Sequence, residues 1–173
     1  MTIDVADGAA EFARTRLEPL RRFAYVICGS VAEADDLAQI AIIEVWRRWR
    51  TASANPEAYA RRVIVTRNVS RWRRRQREVP LVAAEGGADD PAADFVDNVA
   101  VWQALRRLGR AERIVVVLHV LYEYTFGEIA AITGEPQGTV SSRYSRARRT
   151  LREGMGNAST SDRAVAPLWE WVS

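Results

Sequence analysis

The sequence predicts an all-α protein: two small helical domains joined by a flexible acidic linker, the second containing a helix-turn-helix. Three observations predict it. Apolar residues recur at helical spacing along most of the chain, with no strand-like alternation and no hairpin signal. The segment Val79 to Asp94 carries two prolines, a Gly-Gly pair and no helical period, so it reads as a linker. Charge is segregated around that linker. Eight arginines and no acid lie between Arg61 and Arg77, five acids and no base between Glu85 and Asp97, and five arginines and no acid between Gln137 and Arg152. The expected boundaries are 8–78, 79–95 for the linker, 96–155, and a tail at 156–173.

The first lobe reads as three helices, about 9–27, 32–49 and 56–77. Pro56 suits a first helical turn, where a missing N–H costs nothing. In the second of these helices, spacing at 100° per residue puts Leu37, Ala38, Ala41, Ile42, Val45, Trp46 and Trp49 on the inner face. Asp36, Gln39, Ile40, Ile43, Arg47 and Arg50 remain outside. Isoleucines among charges on an outward face suggest a patch that a partner covers. The alternative is a helix buried on nearly all sides by its own lobe. The third helix has an apolar seam of Val65, Val69 and Trp72 beside a polar seam of Arg62, Thr66, Ser70 and Arg73. Such a seam suits a phosphate backbone, although a charge run is more often a solvated face.

The second lobe reads as helices near 96–108 and 111–124, followed by two short helices separated by Gly134-Glu-Pro136. Thr125-Phe-Gly-Glu128 is a capping box that starts the first short helix, and Gly134 stops it. In the last helix Val140, Tyr144, Ala147 and Leu151 form one buried stripe. Gln137, Thr139, Ser141, Ser142, Arg143, Arg146 and Arg149 lie off that stripe, a set able to enter a major groove and reach base edges and phosphates. An ordinary helical hairpin with a basic solvated face is the competing account.

Composition narrows the classes. The longest apolar stretches, such as Ile114 to Val120, are too short to cross a bilayer, and the acidic N-terminus is followed by no export core. A cytoplasmic protein without membrane insertion is expected. A single Cys28 excludes an internal disulfide framework, and a single His119 leaves no metal-ligand cluster, so neither metal nor cofactor is expected. Cys28 reads as a small buried apolar residue, with a redox sensor as a remote alternative, and His119, inside an apolar run, as a hydrogen-bonded core or half-exposed histidine with no assigned role.

Asp36-Leu-Ala-Gln-Ile-Ala-Ile-Ile-Glu-Val-Trp-Arg-Arg-Trp49 resembles the polymerase-binding segment of extracytoplasmic-function sigma factors. Arg61-Arg-Val-Ile-Val-Thr-Arg-Asn-Val-Ser-Arg-Trp-Arg-Arg74 is similar to their segment that melts and reads the −10 promoter element. Ala104 to Leu108, Glu128-Ile-Ala-Ala and Gly138-Thr-Val-Ser-Ser-Arg-Tyr-Ser-Arg-Ala147 resemble their −35-reading domain. The order is that of the family over about residues 9–153, with departures such as Ile40 in place of an acid and Ser141 in place of a base.

The resemblance implies a non-enzymatic initiation factor with core RNA polymerase and promoter DNA as partners and an anti-sigma factor as a candidate third. It assigns polymerase binding to Asp36, Gln39, Ile40, Ile43 and Arg47. The loop from Thr51 to Pro56, with Asn55, would capture an unstacked base, and Arg62, Thr66, Arg67, Ser70, Arg71, Arg73 and Arg74 would hold the −10 strand. Gln137, Thr139, Ser141, Ser142, Arg143, Arg146 and Arg149 would read the −35 element. The linker would thread toward the polymerase cleft, its acids imitating nucleic acid. A stand-alone helix-turn-helix regulator accounts for Gln137 to Arg152 but leaves Asp36 to Arg74 unexplained, and an adaptor module explains neither basic segment. The tail lies outside the resemblance. Its terminal cluster of Val165, Leu168, Trp169, Trp171 and Val172 is expected to dock on one of the lobes or into the groove between them and hold the free factor compact, the alternative being a frayed terminus or a segment merely packed on the second lobe.

Overall fold

Spacing of apolar residues, caps and helix stops give every described element of this chain its helical form. The computed structural model describes residues 5–78 and 99–156, so the acidic linker, the start of the helix expected at 96 and the tail beyond 156 lie outside the described residues. The helices are α1 (Val5–Cys28), α2 (Val31–Arg47), α3 (Trp49–Ala52), α4 (Pro56–Glu78), α5 (Val99–Arg106), α6 (Arg110–Val116), α7 (Phe126–Thr133) and α8 (Gln137–Gly156). A π-helical turn, Val117–Leu121, continues α6. The described helices fall into two compact units, α1 to α4 and α5 to α8.

In the first unit α1, α2 and α4 pack pairwise around one core. α1 contributes Leu20, Phe23, Ala24, Tyr25 and Ile27, α2 contributes Leu37, Ala38, Ala41 and Val45, and α4 contributes Ala60, Ile64, Val65 and Val69. α1 continues through Pro19, whose missing N–H would have bonded the carbonyl of exposed Thr15, where water can replace it. Ser30 caps α2 by accepting from the Glu33 N–H. The expected helix 32–49 breaks at Arg48, and Trp49 opens the separate turn α3. Trp49 is drawn inward by α1: its ring stands 6.1 Å from that of Phe12, and a Cβ on Gly8 would fall 2.9 Å from its Cζ2. Only glycine allows this approach.

Three ion pairs show that α4 runs antiparallel to α2. Arg75 pairs with Glu33 at 2.5 Å, Arg71 with Asp36 at 3.6 Å and Arg67 with Glu44 at 3.9 Å. Each is at least partly exposed and adds at most about 1 kcal/mol, but together they record the register. Asp36, Ile40 and Glu44 share that row at helical spacing. Ile40 is therefore half-buried, whereas the sequence placed it on the open outer face.

The second unit packs α5, α6 and α7 against α8. Trp102, Leu105, Leu108, the continuous run Ile114 to Leu118, Ile129, Ile132, Val140, Ala147 and Leu151 form its core. The helix expected over 111–124 is interrupted: after the π turn, Tyr124 N–H reaches the Leu118 carbonyl at 3.0 Å, and Glu123 takes a left-handed φ of 57°. Gly134, with φ 67°, ends α7. The helix after it is not short, since α8 spans 20 residues. Among the described residues no helix is long and apolar enough to cross a membrane, and no group of His, Cys, Asp and Glu could hold a metal ion.

Candidate nucleic-acid interface

α4 offers the first surface. Arg62, Thr66 and Ser70 are exposed in one line, and half-buried Arg73 and exposed Arg74 extend it, so the polar seam predicted from spacing stays open while Val65 and Val69 pack inward. Arg67 and Arg71, assigned to the same surface, lean instead toward Glu44 and Asp36 of α2. The loop expected from Thr51 to Pro56 is shorter, because Thr51 and Ala52 belong to α3 and Pro56 opens α4. Asn55 is the cap of α4: its side-chain oxygen accepts from the Ala58 N–H at 3.0 Å, and its carbonyl accepts from Tyr59. That leaves the Asn55 carboxamide nitrogen as the group free of the cap, in an exposed position.

The outward side of α2 presents Asp36, Gln39, Ile43 and Arg47, all exposed. Ile43 is 55% exposed and Trp46 49%. Trp46 was expected on the inner face; one turn from Ile43, it sits at the edge where core gives way to solvent, and α1 and α4 do not reach far enough round to cover it. The exposed apolar patch is therefore Ile43 with Trp46, where the sequence reading had Ile43 with Ile40. Its margin is charged: Glu44 lies 3.7 Å from Arg47 and 3.8 Å from Arg48.

The second unit holds a helix-turn-helix in α7 and α8. The capping box is complete: the Thr125 hydroxyl accepts from the Glu128 N–H at 3.2 Å, and the Thr125 N–H donates back to the Glu128 carboxylate at 2.8 Å. Donation from the Thr125 backbone, then from its hydroxyl at 2.7 Å, holds the Glu128 carboxyl below the usual carboxylate range. Since the folded value lies below the unfolded one, this stabilisation is complete above the ordinary glutamate range and is lost as pH falls through the depressed folded value. Thermal melts of the second unit in acid should therefore show a component that Glu128→Gln, which removes the titrating carboxyl, abolishes; an identical acid profile in the variant would contradict it.

Along α8, Gln137, Ser142 and Arg149 are exposed, and Thr139 and Ser141 are half-buried. Val140, Ala147 and Leu151 are buried as the stripe predicts, and Tyr144 half so. Two arginines assigned to this surface have acidic neighbours that spacing did not reveal. Arg143 is half-buried and bonded to Glu135 in the turn, and Arg146, still 55% exposed, lies 3.4 Å from Glu112 of α6. Arg143 thus braces the turn against the helix. Its neighbours Gln137, Ser142, Arg146 and Arg149 keep the outward positions. Cys28 is buried, its thiol 3.3 Å from the Ser30 carbonyl.

Residues 12–78 match the family described as Sigma-70 region 2, and residues 98–151 that described as Sigma-70, region 4. The RNA polymerase sigma-E factor of Streptomyces coelicolor is 34% identical over 147 residues, covering 83% of each chain. The ECF RNA polymerase sigma factor SigJ of Mycobacterium tuberculosis is 29% identical, over 82% of this chain and 49% of its own. The fold is also similar to that of the sigma factor RpoE co-crystallised with the anti-sigma factor NepR from Bartonella quintana, with a TM-score of 0.59 and 24% identity over 87% of this chain and 98% of that one. A stand-alone regulator would match in the helix-turn-helix half alone, whereas here both halves match in family order. The chain belongs to the sigma-70 family and is an extracytoplasmic-function sigma factor, a transcription initiation factor.

Proposed function

We propose that this sigma factor, without catalysis of its own, works in the cytoplasm by docking on core RNA polymerase through α2 and opening promoter DNA along α4. The −35 element is read by α8. The domain limits follow: 8–78 for polymerase and the −10 element, 79–95 as an acidic linker, 96–155 for the −35 element and 156–173 as a tail. The observation that carries the reading is the pairing, on one three-helix unit, of an exposed apolar patch at Ile43 and Trp46 with an open basic seam from Arg62 to Arg74. Apolar surface of this kind needs a protein to cover it, and a solvent-facing seam rich in arginine attracts a polyanion. Asp36, Gln39, Ile40, Ile43 and Arg47 make the protein contact. Asn55, Arg62, Thr66, Arg67, Ser70, Arg71, Arg73 and Arg74 face the −10 strand, with Arg67 and Arg71 exchanging carboxylate partners for phosphates. An anti-sigma factor is a further partner class, as it is for RpoE of Bartonella quintana.

Run-off transcription with core polymerase and a genomic promoter library tests the reading: addition of the protein should start transcripts at a discrete promoter class, and transcription unchanged by the protein would overturn it. Arg62→Ala and Arg74→Ala should each lower the slope of log affinity against log salt by roughly 0.7–0.9 in holoenzyme binding to promoter DNA, one phosphate contact apiece. An unchanged slope for both removes the seam from the interface.

A further inference from the structure

We propose that His119 is a positioning residue that sets the angle of α8 and thereby the sequence selected at the −35 element; this rests on the reading of α8 given above. Three rings from three separate elements meet at this point. His119 comes from the π turn, Phe126 is the first residue of α7, and Tyr144 lies on the packed side of α8 one turn past Val140. The His119 ring is 4.5 Å from Phe126, tilted by 38°, and 4.9 Å from Tyr144, nearly edge-on at 82°. Phe126 and Tyr144 close the triangle at 5.4 Å. The Arg148 guanidinium covers the Tyr144 ring at 5.9 Å.

The ring plane of His119 is itself held. Its Nδ1 lies 2.8 Å from the Tyr124 carbonyl oxygen, which can only accept, so Nδ1 carries a proton and donates. The π turn matters because it delivers the imidazole to this place: the widened turn ends in the Tyr124 to Leu118 bond and the left-handed Glu123, which fold the Tyr124 carbonyl back to the Nδ1 edge of the ring.

Elsewhere the seat of α8 is made by Val140, Ala147 and Leu151, aliphatic side chains whose contacts depend on volume far more than on direction. Aromatic pairs prefer tilted and edge-on arrangements, so the triangle distinguishes helix orientations that an aliphatic seat would accept alike. Tyr144 lies near the middle of the helix, and the outward residues Gln137 and Ser142 precede it. A small rotation about Tyr144 is magnified at that end, where bases are read by atoms that tolerate little displacement.

The test uses the full chain in holoenzyme with core polymerase and a promoter library randomised at both elements. His119→Asn retains an amide nitrogen near the position of Nδ1 but removes the ring, and His119→Phe retains the ring but removes the donor. His119→Asn should flatten the −35 preference, reducing the ratio of preferred to disfavoured sequences about tenfold, while the −10 preference stays as it was. His119→Phe should hold that ratio within about twofold. A purely structural histidine would lower occupancy of all sequences alike and leave both preferences unchanged, which would overturn the proposal. Should His119→Asn lose the melting transition of the second unit, Phe126→Leu at another corner of the triangle is expected to give the same flattening, and an unaltered −35 preference there would equally overturn it. A holoenzyme that opens promoters with no −35 preference even before substitution would instead overturn the reading of α8.

Discussion

Ile43→Asp should weaken binding to core RNA polymerase by about 30-fold or more, the 2 kcal/mol or greater cost of truncating a buried interface anchor. Two features make the effect large. The side chain is 55% exposed in the free protein, so aspartate there is solvated and folding is nearly indifferent to it. Once a partner covers the patch, the carboxylate is dehydrated without a counter-charge of its own, since the nearby arginines Arg47 and Arg67 already serve Glu44. Exposed Trp46 adjoins the same patch, and Trp46→Ser should add to the loss. Competition binding against the unvaried factor checks the affinity, and a thermal melt checks the fold. Unchanged affinity would remove this patch from the polymerase interface, and a first unit that unfolds on substitution would show that Ile43 belongs to the core.

Ile129→Ala should strongly disrupt the second unit. Ile129 is wholly buried in α7, and α7 packs against α8, whose Val140, Ala147 and Leu151 are buried in the same core. Truncating a buried isoleucine costs about 2–5 kcal/mol because the space it leaves is only partly refilled. A unit of roughly 60 residues holds only about 3–9 kcal/mol in all. The helix-turn-helix should therefore lose most of its stability, and −35-dependent transcription with it, while the first unit, which has a separate core, keeps its melting transition. Calorimetry of the full chain separates the two: a single transition moving as one would show that the units do not melt independently, and full −35 activity would show that Ile129 does not hold the reading helix.

Local rules carried the sequence reading a long way. The capping box at Thr125, the left-handed stop at Gly134, the first-turn Pro56 and the buried stripe of α8 each depend on residues within a turn or two of one another, so spacing alone specifies them. The open seam of α4 was legible for the same reason. What spacing could not show was which neighbour each side chain meets across the core. Ile40 turned inward because α4 lays arginines along the row from Asp36 to Glu44. Trp46 turned outward because neither α1 nor α4 reaches its edge of α2. Arg143 is withdrawn by Glu135, and the break at Arg48 follows from a ring that needs Gly8 beneath it. The π turn is the extreme case: the run from Ile114 to Tyr124 has an ordinary helical pattern, and the imidazole that settles between Phe126 and Tyr144 acquires its place when α7 and α8 fold back onto it. Helix positions, class and family were thus written in periodicity and order along the chain. The partners of individual arginines, isoleucines and the single histidine were set by packing between helices, because a contact across a core depends on register and crossing angle, which no residue encodes alone.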